Sequence, residues 1–180
     1  VRVRHEGETL ILAEALCDSV LGEGGYEILE RFPGAALVGR QYVPLFECTR
    51  AAVKKGAEKA WHVVADPYVT TEEGTGIVHI APAFGEDDAR ICRENGLPFV
   101  QLVDTAGKLC GGTPWDGVFV KDADKLILDA LKESGKLFAA LPFEHSYPFC
   151  WRCDTPLIYY ARASWFIKMT AVKDKLISFN

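Results

Sequence analysis

Apolar and polar residues alternate from the first positions of the chain. Arg2–Arg4 and Thr9–Leu12 flank Glu6-Gly7, a pattern that predicts two strands joined by a tight hairpin. Ala13, Leu16, Cys17, Val20 and Leu21 then recur at helical spacing, so a short helix with one buried face is expected, closed by Gly22. Apolar runs between Gly and Pro predict short strands at Tyr26–Phe32, Ala36–Val38, Tyr42–Phe46 and Trp61–Ala65. Gly76–Ala81 reads as a further strand ended by Pro82, and Phe99–Val103 as another. Between them, Glu86–Asn95 predicts a helix with three acids in its first turn and Gly96 beyond its end. Asp122 reads as the N-cap of a second helix, with Ala123, Leu126, Ile127, Ala130 and Leu131 as its apolar stripe and Gly135 as its stop. Leu157–Tyr160 and Trp165–Lys168 read as strands, and Thr170 as the cap of a last helix. The sum predicts an α+β fold, mainly short strands in a barrel-like, curved sheet with a few peripheral helices.

Composition narrows what such a fold is for. The chain has 180 residues, 49% of them apolar and 25% charged, which fits one packed domain burying roughly 70% of the surface its unfolded form exposes. A net charge of −5 and the absence of a basic run of five argue against an autonomous nucleic-acid binder. Apolar runs such as Gly34–Val38 and Leu126–Leu128 fall far short of the roughly 18 residues of a membrane span, so no membrane partner is expected. The opening Val-Arg-Val-Arg-His has no secretory character and no initiator Met, so an excised piece of a longer chain is expected. Six scattered cysteines, only two of them closely spaced, fit a reducing cytoplasm better than a disulfide scaffold.

Chemistry concentrates in Thr70–Asp88. Gly74 and Gly76 flank Thr75, which permits positive φ and lets another group approach the backbone. The Gly-Thr-Gly is weak evidence alone, since it is neither a dinucleotide fingerprint nor a P-loop, and a hairpin or bulge is the ordinary use of such glycines. Alternation puts Ile77, His79 and Ala81 on one face of the following strand, where a histidine is more often a satisfied structural group than a functional one. Glu86, Asp87 and Asp88 each make a good helix start. A helix start does not account for the whole constellation of Gly-Thr-Gly, strand, histidine, Pro turn and acidic helix.

Gly74-Thr75-Gly76-Ile77-Val78-His79-Ile80-Ala81-Pro82, followed by Gly85 and Asp87-Asp88, closely resembles the core motif of the editing insertion of isoleucyl-tRNA synthetases. Valyl and leucyl relatives share the Gly-Thr-Gly but typically lack this Val-His-x-Ala-Pro order. His145–Tyr159 and Trp165-Phe166-Ile167 resemble the segment that returns from the insertion to the catalytic domain. The resemblance spans about residues 36 to 170 and implies two parts: an editing domain at 1–145, lacking its portion upstream of Val1, and a zinc-knuckle half and return segment at 146–180.

That family must tell isoleucine from valine by one methylene, worth only about 1–3 kcal/mol of binding, and isoleucyl enzymes are themselves the standard illustration of the limit. A second, smaller site is needed, which admits the valyl ester of isoleucine tRNA and hydrolyses it. The resemblance implies that Asp88 receives the α-ammonium of the misattached valine and that His79 borders the ester and sets pocket size. It likewise implies that Gly74, Thr75 and Gly76 line the site near the terminal adenosine. No cofactor is expected in the editing site, and ATP is used only by the synthetic domain, which has no signature here. The partners implied are the acceptor end of the tRNA carrying valine and the rest of the synthetase chain; valyl-adenylate is a further possible substrate. The family's threonine-rich second wall lies upstream of Val1, so impaired activity is expected of this piece alone.

Cys150-Trp151-Arg152-Cys153 is a C-x-x-C of the zinc-knuckle kind, but only half a tetrahedral site. His145 is a weak third ligand candidate, the family often supplies a second C-x-x-C elsewhere, and a plain turn or a redox pair stand as alternatives. Two further functional readings stay open: the editing domain of a valyl or leucyl enzyme or a trans-acting deacylase, and a non-catalytic tRNA-docking module using Arg50, Lys54, Lys55 and Lys59. A solvated face is the plainer account of that basic run.

Overall fold

The computed structural model describes residues 1–142 and 146–179. Its regular sheet is built by the first 30 residues. Strand β1 (Arg2–His5) pairs antiparallel with β2 (Glu8–Ile11) and with β3 (Glu27–Glu30), in the order β2-β1-β3. The hairpin is as expected: Glu6 and Gly7 both take positive φ, 49° and 87°, the primed-turn geometry whose twist matches that of the strands. Between β2 and β3 the predicted helix forms as a single 3-10 turn, Glu14–Leu16, running into α1 (Cys17–Leu21), and Gly22 closes it at φ 81°. The helix lays Cys17 and Leu21 against Val1, Val3 and Leu12, forming the main buried cluster, with Leu10, Val20, Tyr26 and Ile28 around it.

Three later helices also follow the sequence pattern. Helix α3 (Glu86–Asn95) ends on Gly96 in the left-handed conformation and buries Ile91 and Cys92. Helix α4 (Val120–Glu133) buries Ala123, and α5 (Met169–Ser178) buries nothing among its described residues. Their starts differ from expectation: α4 begins two residues before Asp122, which is a first-turn acid and not the cap, and Lys168 rather than Thr170 precedes α5. A short helix, α2 (Cys48–Ala52), was not anticipated.

The remaining predicted strands are not regular strands. Ala36–Val38 lies mostly in a 3-10 turn, Gly34–Leu37, because Ala36 N–H donates to Pro33 O (2.9 Å). Tyr42–Phe46 and Trp61–Ala65 meet beside the isolated bridge Gln41↔His62, where Tyr42 N–H donates to Trp61 O (2.9 Å), and Pro44, lacking an N–H, cannot extend a ladder. Phe99–Val103 reaches a bridge at Val103↔Leu109, and Leu157–Tyr160 runs out from a bridge at Phe149↔Pro156. Gly76–Ala81 and Trp165–Lys168 pair with no strand among the described residues. The architecture is α+β, and its named strands form an open three-stranded sheet, whereas the sequence pattern pointed to a barrel-like one.

Accessible surface totals 13644 Å², against about 8,700 Å² for a compact monomer of 19.9 kDa. The chain therefore buries about half of its unfolded surface, not the roughly 70% its length predicts. The cause is visible in the apolar residues left outside: Trp151, Tyr159, Trp165, Phe166, Ile167 and Phe179 are all exposed.

Candidate functional site

The Gly-Thr-Gly loop is set on the N-terminal sheet unit. Ala13 N–H, just past β2, donates to Thr75 O (2.9 Å), and Gly76 sits so close that a Cβ on it would lie 2.6 Å from the Ala13 Cβ. Gly74 and Gly76 take φ of 69° and 73°, so both glycines serve the turn and Gly76 also serves the close approach. Thr75 ties its own turn: its hydroxyl donates to Ile77 O (3.1 Å) and accepts from Ile77 N–H (3.4 Å). The loop encloses an open hollow of ≈ 360 Å³ lined by Thr70, Glu73, Gly74, Thr75, Gly76, Ile77 and Val78.

From there the chain runs extended to Ala81, whose N–H donates to Asp88 Oδ2 (3.0 Å). Asp88 is half-buried in the first turn of α3, and Oδ1 has no hydrogen-bond partner among the described residues. Gly85 makes room for this carboxylate, since a Cβ there would stand 2.9 Å from Oδ2. His79 is exposed, and its ring has no partner among the described residues. The strand face that was to group Ile77, His79 and Ala81 does not exist, because Ile77, Val78 and His79 are all exposed. Gly74, Thr75 and Gly76 thus share one hollow, whereas His79 and Asp88 lie outside its lining, joined to it by the Ile77–Ala81 segment.

The three acids of α3 are not equivalent. Asp88 binds Ala81, Asp87 binds Arg90, and Glu86 has no partner among the described residues. Arg90 also grips Asp66, ahead of the loop, through two bonds of 2.8 and 3.0 Å, and reaches Glu94 at 3.1 Å. Asp66 in turn accepts the Tyr68 N–H (3.0 Å). The Arg90 guanidinium, with help from that amide, holds the Asp66 carboxyl below the usual carboxylate range, and the bonds to Asp66 and Asp87 hold Arg90 still more firmly charged. Tyr68 stands beside this cluster with its hydroxyl buried and unbonded; burial first, and the Asp88 charge next, push its phenol up. Sequence reasoning missed Asp66, Tyr68 and Arg90. Only the i,i+3 and i,i+4 spacing of Asp87, Arg90 and Glu94 offered a local signal.

A larger hollow, ≈ 530 Å³, lies between Ala52–Gly56 and Gly96–Val100 and contains none of these residues. It carries Lys54 and Lys55 at its edge, but no acid–base or anchoring group, so the chemistry points to the Gly-Thr-Gly region instead. Of the basic run, Arg50 is already paired with Glu47 (2.9 Å) and stacked on Trp61.

Cys150 and Cys153 lie in a tight turn, in which Cys150 N–H donates to Thr155 O and Asp154 N–H to Cys150 O, both at 2.9 Å. Cys153 is exposed, and the Thr155 hydroxyl 3.2 Å from its Sγ, followed by the Thr155 amide and the Cys150 thiol, lowers its pKa. Two thiols in one tight turn suit half of a tetrahedral metal site. Among the described residues no cluster of three or more His, Cys, Asp or Glu stands ready for a metal, and His145 lies outside the described residues.

No family model matches the chain. Curated relatives do. The isoleucine–tRNA ligase of Clostridium novyi is 49% identical over 181 residues, covering 100% of this chain and 17% of that protein. That of Clostridium kluyveri is 50% identical over 178 residues, covering 98% of this chain and 16% of the relative. The cytoplasmic isoleucine–tRNA ligase of Arabidopsis thaliana is 50% identical over 161 residues, covering 86% of this chain and 13% of its own length. The chain thus spans about a sixth of the relatives it matches. Identity of this degree along the whole chain makes it a segment of an aminoacyl-tRNA synthetase of the isoleucine–tRNA ligase kind.

Proposed function

We propose that this segment carries the editing site of its synthetase, hydrolysing valine from mischarged isoleucine tRNA, with valyl-adenylate as a second substrate. The observation that carries the reading is Asp88: one carboxylate oxygen is fixed by Ala81 N–H, the other is unbonded among the described residues, and the group stands at a helix start, tied to the segment that leads out of the Gly-Thr-Gly loop. A carboxylate so held is preorganised to take an ammonium through a charge-assisted hydrogen bond. The exposed backbone of Gly74–Gly76 would receive the terminal adenosine, and His79 would border the ester. Water adds to the ester carbonyl, the bond from carbonyl carbon to ribose oxygen breaks, that oxygen takes one of the water's protons, and the other passes to solvent as valine leaves as its carboxylate. The α-ammonium activates the ester, so positioning of water is the main task.

The rest of the synthetase is the second partner of this reading. The exposed apolar residues between Trp151 and Phe179 give it a surface to cover, and an upstream threonine-rich segment would supply the second wall of the site. Extended segments already meeting at Gln41↔His62 and Val103↔Leu109 would then belong to a more strongly curved, barrel-like sheet. Cys150 and Cys153 would hold zinc together with two ligands from elsewhere in the enzyme, a structural use. In this division residues 1–145 form the editing domain and 146–180 the return to the synthetic domain, where ATP is used. No helix among the described residues is long and apolar enough to cross a membrane, and we place the enzyme in the cytoplasm.

The test is Asp88→Ala in the full synthetase. Loss of a charge-assisted bond worth about 1.5–3 kcal/mol should slow deacylation of valyl-tRNA at least about tenfold while isoleucine activation is unchanged. Glu86→Ala is the control, because that acid shares the helix start and holds nothing among the described residues. Equal deacylation by the parent and both variants would reduce Asp88 to a helix-start residue.

A further inference from the structure

Helix α3 holds the Gly-Thr-Gly segment at both of its ends. Asp88 takes the Ala81 amide at the far end, and Arg90 takes the Asp66 carboxylate at the near end through two parallel bonds of 2.8 and 3.0 Å. Everything between, including Gly74, Thr75, Gly76 and His79, is a loop stapled at two points to one helix. The near staple is the better shielded: the Asp66 side chain is 10% exposed, and its second duty is to accept Tyr68 N–H at 3.0 Å, which turns the chain into the loop. The helix partners of Arg90, Asp87 at 3.2 Å and Glu94 at 3.1 Å, keep the guanidinium in a single orientation.

We propose that the Asp66–Arg90 pair is a positioning device for the editing reaction, fixing the Gly-Thr-Gly backbone relative to Asp88. The inference rests on the editing role proposed above. A planar guanidinium meeting a carboxylate with two bonds sets angle as well as distance, which a lysine ammonium cannot do. Asp88 is both the far staple and the candidate ammonium anchor, so loosening the near staple leaves the anchor in place and lets the opposite side of the site drift. Small misplacements of this kind act on the rate of the bound substrate more than on its capture.

The experiment measures single-turnover and steady-state deacylation of valyl-tRNA by the full synthetase carrying Arg90→Lys, Asp66→Asn or the charge exchange Asp66→Arg with Arg90→Asp. Arg90→Lys keeps the charge and guards against simple misfolding of the Asp66 variant. The expected result is a fall in kcat of about 5- to 100-fold with KM changed less than about twofold, partial recovery in the exchange variant, and unchanged isoleucine activation. Amide exchange of residues 67–80 should quicken in the same variants while that of β1 and β2 does not. Asp88→Ala runs in parallel. If it abolishes deacylation while Arg90→Lys and Asp66→Asn both deacylate at the parent rate, the positioning role is overturned and the editing reading stands. If Asp88→Ala is also silent, the editing reading itself falls. A uniform rise in KM with kcat intact would likewise overturn the positioning role, since it marks the pair as a contributor to binding alone.

Discussion

Residues 1–30 and residues 66–88 are held together by different means. The first region has ladder hydrogen bonds on both sides of β1 and a buried cluster of Val1, Val3, Leu12, Cys17 and Leu21. The second has no ladder; its backbone is tied down by side chains, with Asp88 on Ala81, Asp66 on Tyr68 and Arg90 on Asp66. Apolar burial is strong and indifferent to fine geometry, whereas a loop held by charged groups places its atoms accurately with little core beneath it. The sheet supplies stability and a platform at Ala13, and the loop carries the proposed site. The C-terminal stretch is a third case, joined to the body by Tyr160 Oη–H on Val103 O (3.1 Å) and Ala161 N–H on Ala83 O (2.8 Å), then exposed beyond.

The sharpest way to break this comparison is a truncation in each kind of region. Leu12→Ala, in the buried cluster, should destabilise the chain by about 2–5 kcal/mol, read as a drop in the urea midpoint. Trp165→Ala, at a wholly exposed residue, should change the midpoint by no more than about 0.5 kcal/mol in this chain. If the rest of the synthetase covers this surface as proposed, the same tryptophan change made in the full enzyme should cost more. Equal losses in the isolated chain would mean that the return segment is part of the core.

The junction of the two regions gives the next largest effect. Gly76→Ala forces a non-glycine residue to φ 73° and puts its Cβ 2.6 Å from that of Ala13, so a loss of about 1–3 kcal/mol is expected. Ala13→Gly in the same chain removes the clash but not the positive φ, and should restore only part of the loss. Full recovery would show that φ strain is negligible, and no recovery that Ala13 is not what Gly76 avoids. Deacylation by the full synthetase should fall in parallel, since the clash pushes the loop off its platform.

This division also explains what the sequence disclosed. Period-2 and period-3.6 patterns read correctly in the hairpin, α1 and α3, where apolar residues are buried and the pattern is the cause of the structure, and in α4, whose stripe buries Ala123. The same patterns misled at Tyr42–Phe46 and Gly76–Ala81, where apolar residues are left exposed, and at half-buried Trp61–Val64, because among the described residues no neighbouring strand completes a ladder. For the site, the motif pointed to the Gly-Thr-Gly loop and to Asp88, and the structure shows that loop on its platform and Asp88 with one oxygen unbonded. The Asp66–Arg90 pair was invisible because its partners lie far apart in sequence and each looks like an ordinary surface charge. Nor could helix-start reasoning separate Asp87 from Asp88, since the difference lies in which backbone or side chain each one meets.

A pH series sharpens the comparison further. The Asp66 carboxyl is held below its ordinary value by Arg90, so its contribution to stability is fully present above the unfolded carboxylate pKa of about 3.9 and is lost as pH falls through the folded value. Asp66→Asn should therefore be less stable than the parent at neutral pH, and the gap should close in acid, below about pH 4. A gap that stays constant with pH would show that the bond geometry, and not the ion pair, is what the variant loses. The buried cluster around Val3 contains no carboxylate and should give no such closing gap for Leu12→Ala.

The smallest expected effect belongs to the ion pairs on the sheet. Arg4 and Glu27 sit opposite each other on β1 and β3 at 3.2 Å, and Arg2 meets Glu30 at 2.8 Å. In length these contacts match the Asp66–Arg90 bonds, but each is a single bond and water screens them: the Arg4 and Glu27 side chains are 58% and 66% exposed, against 34% and 10% for Arg90 and Asp66. An exposed pair of this kind is worth about 0.2–1 kcal/mol, and ordering two long side chains consumes part of that. The strands beneath are already fixed by their ladder and by Val3, which is fully buried. Glu27→Gln should thus lower stability by less than about 1 kcal/mol at low salt, and the difference should vanish near 1 M salt, where the screening length falls to about 3 Å. Asp66→Asn measured in the same salt series should keep most of its effect, because its bonds are short and shielded. If the two variants lose their effects together as salt rises, the loop is held no more firmly than the sheet surface, and the distinction between a charge that decorates and a charge that positions disappears.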